Sequence, residues 1–138
     1  MADDDDWTPR PGEALPAEES AALQERFEGR FRVNTAGRHP KVPTWSTFDP
    51  ADSRRAGPEA LEALAAERGV LLLFAGSGRE LRRTTMGEVR RYVAALEPWE
   101  DDDLYVLDDT MTWCLALTHA QMGNERLIIV AGAFPPPR

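Results

Sequence analysis

The run Val70-Leu71-Leu72-Leu73-Phe74-Ala75 has no polar side chain at any position. Successive side chains of a β-strand point to opposite faces, so a strand that is apolar throughout must be covered on both. The run is far short of the ~20 apolar residues that a membrane helix needs. Gly69 precedes it and Gly76-Ser77-Gly78 breaks the chain after it. These six residues are therefore expected at the centre of a sheet, with other elements arranged around them.

Around that strand the pattern is mixed. A helix is expected over 16–28, because Pro16 suits a first turn, Leu23 and Phe27 share a face, and Gly29 offers a stop. Phe31 and Val33 alternate with polar neighbours, as in a short half-buried strand. Residues 38–52 contain Pro40, Pro43 and Pro50, which exclude a helix or central strand. Trp45 and Phe48 still need burial there, so the segment reads as a strap across the core. Pro58, Leu61, Leu64 and Ala65 mark a second helix. A third opens at Thr85-Met86-Gly87-Glu88, a T-x-x-E capping box, with Val89, Tyr92, Val93 and Leu96 on its apolar face. Strands follow at 104–107, 111–118 and 126–131, with turn composition between them. The expected architecture is α+β: about three helices packed on one face of a mainly antiparallel sheet that ends in a three-strand meander. Within the 138 residues, 1–12 read as a flexible acidic arm, 13–134 as one domain and 135–138 as a Pro-rich tail.

Sixteen Lys and Arg against 24 Asp and Glu leave a net charge of −8. That balance argues against nucleic acid as a partner, since phosphate neutralisation needs a basic surface. The first residues, Met1-Ala2-Asp3-Asp4-Asp5-Asp6, lack the basic and apolar regions of a secretory leader, so a cytoplasmic protein is expected. Cys114, the single cysteine, cannot form an internal disulfide and lies in an apolar strand as an inert thiol. Neither a cofactor nor a metal is expected. His39 and His119 are not spaced as ligands, and the acidic stretch lacks the alternating ligands and central Gly of a calcium loop.

Three groups of residues could carry function. Glu97, Glu100, Asp101, Asp102 and Asp103, continuing to Asp108 and Asp109, form either a solvated turn or a docking surface for a basic protein. Trp99 would be its aromatic anchor. Arg79, Arg82, Arg83, Arg90 and Arg91 adjoin the Gly76-Ser77-Gly78 turn. They lack the glycine spacing of a phosphate loop, and the expectation is a helix face paired with the acidic run. His119, at the end of a strand, could act as a general base with Asp108 and Asp109, the basis of an alternative as a small hydrolase or ligand-binding domain.

From Asp109 through Trp113 to Thr118-His119 the chain follows D-x-x-x-W-x-x-x-x-T-H. Over residues 79–131 it resembles small bacterial α+β domains with this hairpin, some of which are regarded as immunity proteins of polymorphic toxin systems. Such domains often carry an acidic residue after the histidine, where this chain has Ala120. The resemblance implies a non-enzymatic inhibitor and assigns no catalytic residue. Combined with the charge, it gives the leading expectation of an immunity-type interaction protein. Its partner would be basic and would contact Trp99, Glu100, Asp101, Asp102, Asp103, Asp108 and Asp109.

Overall fold

The computed structural model describes residues 8–76, 78–97, 100, 102–122 and 125–137. Trp99, Asp101 and most of the acidic arm lie outside the described residues. Seven strands form one antiparallel sheet: β1 (Glu13–Ala14), β2 (Ser53–Ala56), β3 (Gly69–Phe74), β4 (Glu80–Thr85), β5 (Leu104–Leu107), β6 (Trp113–Met122) and β7 (Glu125–Gly132). Their order is β1-β4-β3-β5-β6-β7-β2. The C-terminal strands β5, β6 and β7 are consecutive neighbours, so the expected meander is there as part of a larger sheet.

Strand β3 lies inside the sheet, with Leu72 opposite Arg82 of β4 on one side and Val106 of β5 on the other. Its side chains alternate between two cores. Leu71 and Leu73 join Phe27, Phe31, Phe48 and Tyr105 on one face. Val70, Leu72 and Phe74 join Met86, Val89, Val106, Trp113 and Leu115 on the other. Helix α1 (Ala17–Phe31) and the 44–48 part of the strap cover the first face, while α2 (Met86–Ala95) covers the second. The helices thus lie on opposite faces, not on one. A strand with no polar side admits no other arrangement.

Three expectations about local structure are corrected. Helix α1 passes through Gly29 and ends at Phe31, so the short strand at Phe31 and Val33 does not form. Phe27 and Phe31, four residues apart, are 1% and 2% exposed with ring centroids 5.4 Å apart. Burying a second Phe contributes about 1.5–3 kcal/mol, more than the ~1 kcal/mol that a helical Gly costs. Secondly, Pro58–Glu62 is a short 3-10 turn, leaving two α-helices where about three were expected. The Arg90 guanidinium donates to the carbonyls of Leu61 and Leu64 (2.9 and 3.0 Å), acceptors that a continuing helix would have used itself. Thirdly, Arg82 and Arg83 lie in β4, which pairs with β3 across the glycine turn. The Thr85 N-cap does form, with the Glu88 N–H donating to Thr85 Oγ1 at 3.3 Å, but the Glu88 carboxylate accepts from Arg91 and the reciprocal half of the box is not made among the described residues.

Residues 8–12, expected as part of a free arm, lie along the sheet. Arg82 holds the carbonyls of Pro11 (2.8 Å) and Gly12 (2.6 Å), and Arg10 stacks over the Phe74 ring at 4.0 Å. Among the described residues no helix is long and apolar enough to cross a membrane.

Replacing Leu72, which is 0% exposed, by Ala is expected to lower urea-unfolding stability by about 2–5 kcal/mol. Val33→Ala, at a side chain 48% exposed, is expected to stay within about 0.5 kcal/mol of the parent.

Candidate functional site

Strand β5 divides the acidic stretch. Leu104 pairs with Leu117 and Val106 with Leu115, so His119 lies beyond the Leu104 end and Trp113 beside the Leu107 end. Glu100, Asp102 and Asp103 therefore belong to one end of the sheet, Asp108 and Asp109 to the other. Leu104 to Leu107 between them are all buried. With ~3.3 Å per residue the two groups are separated by about 17 Å. The five described contact residues fall at two ends of the sheet, and Asp108 and Asp109 are not brought to His119.

The partner that His119 does meet is Asp103. A register shift between Leu117 and Gln121 interrupts the β6–β7 ladder. Inside it Thr118, fully buried, donates its hydroxyl to the Leu127 carbonyl (2.8 Å) and accepts from the Ala120 N–H (3.2 Å). Such bulges re-aim side chains. Here His119 turns outward, half exposed, and both its backbone N–H (2.6 Å) and its Nδ1–H (2.8 Å) donate to Asp103 Oδ1. The other carboxylate oxygen accepts from the Trp45 indole Nε1–H at 3.2 Å. Trp45 also donates its backbone N–H to Tyr105 Oη (3.0 Å). Asp103 is thus the clasp between the strap and the β5–β6 edge. Nothing in sequence links residues 45, 103 and 119; only the register of β5 on β6 and the course of the strap join them.

Glu100 is buried, at 5% exposure. Its carboxylate accepts from the Thr8 N–H (2.7 Å), the Thr8 hydroxyl (2.7 Å) and the Glu97 N–H (2.8 Å). Burial by itself would raise its pKa, but the bonds from Glu97 and Thr8 outweigh this and hold the carboxyl below its ordinary range. It borders a cavity of about 640 Å³ with Thr8, Arg10, Arg82, Tyr92 and Asp102. At the far end Asp108 accepts from the Trp113 Nε1–H (2.8 Å) and the Thr110 N–H (3.0 Å), with Arg68 at 3.8 Å. It anchors the β5–β6 hairpin, while Asp109 is exposed.

The remaining candidates are placed plainly. Arg79 binds Gln24 and Glu28, Arg82 binds Glu80, and Arg83 meets Glu19. Arg90 pairs with Glu62, and Arg91 with Glu88 on its own helix. These bonds run to α1, β4, α2 and the 3-10 turn, so the ion pairs seen for the Arg set among the described residues are not with the acidic run. Cys114 is fully buried, and burial pushes its thiol pKa well up, so it stays protonated. Among the described residues no group of three or more His, Cys, Asp or Glu is placed to hold a metal ion.

Comparison with protein-family models, with curated proteins and with solved structures finds no match.

Removing the clasp in Asp103→Ala takes the acceptor from the part-buried Trp45 indole and the half-exposed His119, which water can partly replace, and is expected to cost about 0.5–1.5 kcal/mol. Limited proteolysis should then cut within 38–52 faster than in the parent. For Glu100 the sign of the pH effect follows from its lowered folded pKa. Its stabilisation is complete above the unfolded carboxylate value and is lost as pH falls through the folded one. The stability gap between the parent and Glu100→Gln is expected to hold from neutral pH to about 4.3 and close below it, as read by urea midpoints.

Proposed function

We propose that the chain is a non-enzymatic protein-interaction domain, an immunity-type inhibitor that takes a basic protein partner at the 97–103 end of its sheet. The observation that carries this reading is how the negative charge is held there. Glu100 and Asp103 are fixed by backbone N–H groups, a hydroxyl, an indole and, for Asp103, the His119 imidazole. Among the described residues, neither accepts from an Arg or Lys side chain. Arg126 lies against the same stretch but donates to the backbone carbonyls of Glu100 (3.1 Å) and Asp102 (3.0 Å). Glu97 is exposed and Asp102 half-buried beside them, so the 97–103 end gathers four described carboxylates in one short stretch of chain. Negative charge held in fixed positions steers a basic partner and requires little ordering on contact.

Asp108 differs, because Arg68 faces it and the hairpin uses both its oxygens. The proposed surface is therefore narrower than the sequence suggests: Glu97, Glu100, Asp102 and Asp103, with Trp99 and Asp101 in the same stretch of chain. Asp108 and Asp109 belong to the opposite end. The alternative centred on His119 with Asp108 and Asp109 lacks support in the geometry, since His119 is engaged by Asp103.

The test is capture from a bacterial lysate at low and high salt, read by mass spectrometry, with three baits. The parent and Asp109→Asn are expected to retain the same basic protein at low salt and release it at high salt. Glu97→Gln/Asp102→Asn should associate with that protein at least tenfold more slowly, in line with charge-steered encounter. Retention that ignores both salt and the double substitution would remove the reading.

A further inference from the structure

The strap covers a second cavity, of about 410 Å³, between α1, the strap, the glycine turn and the start of β5. That volume is within the range of small-molecule sites. Glu28 and Arg32 of α1, Lys41 and Thr44 of the strap, Arg79 and Tyr105 border it, with Asp103 at its edge.

The hydrogen-bonding capacity left over in this cavity is of one kind. Both carboxylates are already supplied: Glu28 accepts from Thr44 Oγ1 (3.0 Å) and Arg79 (3.0 Å), and Asp103 from His119 and Trp45. The unspent groups are donors. Tyr105 is 1% exposed, and its Oη accepts the Trp45 N–H, but among the described residues its own O–H proton meets no acceptor. The hydroxyl is satisfied as an acceptor and keeps its one proton to donate to a ligand oxygen. Lys41, the one lysine among 16 basic residues, has an exposed side chain with no ion pair among the described residues. Arg32 and Arg79 add two guanidinium groups whose bonds, to Pro40, Thr44, Gln24 and Glu28, leave further N–H groups available. Three cations face two carboxylates that are already bonded.

We infer that this cavity binds a small molecule through an oxyanion group, a carboxylate or a phosphate, whose oxygens accept from Tyr105 Oη–H and pair with Lys41 and the neighbouring guanidinium groups. The site adjoins the 97–103 surface at Asp103, but its ligand and its test are different and do not rest on that reading. Trp45 links the cavity to the clasp, because its backbone N–H rests on Tyr105 and its indole N–H on Asp103. The Trp45 amide and indole signals therefore report on occupancy.

The experiment is a titration of the ¹⁵N-labelled full chain, followed by ¹H–¹⁵N spectra. Sodium acetate and sodium phosphate are the probes, with sodium chloride at matched ionic strength as the reference. Saturable shifts at Lys41 and at both Trp45 signals are expected with one or both probes and not with chloride. Acetate alone would identify a carboxylate ligand; saturation by phosphate would identify a phosphate-bearing one. Lys41→Ala, at an exposed position where folding is not at stake, and Tyr105→Phe should each weaken that saturation by roughly tenfold, as loss of one bond to a charged group does. Shifts no different from chloride would overturn the inference. So would saturation that survives both Lys41→Ala and Tyr105→Phe unchanged.

Discussion

A sheet whose central strands β3 and β5 have no polar face dictates the rest of the molecule. Leu71 and Leu73 of β3 need one cover, and Val70, Leu72 and Phe74 need another. Each side chain of this size contributes about 1.5–3 kcal/mol when removed from water. The covers must therefore come from both directions. Helix α1 and the strap serve one face; α2, the 58–62 turn and Phe134 serve the other. Even the passage of α1 through Gly29 follows, because a helix ending there would leave Phe31 outside the core that it helps to close.

The strap is the least regular of these covers, and it is secured by polar bonds as well as by Phe48. Asp103 takes the Trp45 indole and two His119 donors, and Tyr105 takes the Trp45 backbone. A carboxylate that accepts several N–H groups is a strong and directional fastener. This use explains why the T-H end of the hairpin is bulged. Thr118 turns inward to stabilise the bulge, and the bulge turns His119 out to the carboxylate. One residue thus holds the strap over a cavity and contributes its charge to the 97–103 end.

Much of the framework could be read from residue order. The central strand, the N-cap at Thr85 and the C-terminal meander depend on local pattern and appear where the pattern places them. The errors share one cause. Gly29, Pro58 and the Arg-rich 79–83 segment carry signals whose outcome depends on distant partners. Gly29 is overridden by Phe31 packing on the sheet, and the 58–65 helix is cut short where Arg90 takes its carbonyls. Strand β4 does not read as a strand because Glu80, Arg82 and Arg83 lie towards the sheet margin, where their heads find acids and carbonyls.

By itself the sequence determined a two-sided sheet, a net negative chain and an acidic stretch leading into a strand. It did not determine what those acids do. A carboxylate in a turn is solvated by default, and it becomes a fastener only when donors are brought to it. For Glu100 the donor Thr8 lies 92 residues away, and for Asp103 the donors Trp45 and His119 lie 58 and 16 residues away. Those separations are closed by the sheet and the strap. Local pattern therefore selects the elements, while tertiary structure decides which charges are spent inside the molecule and which remain for a partner.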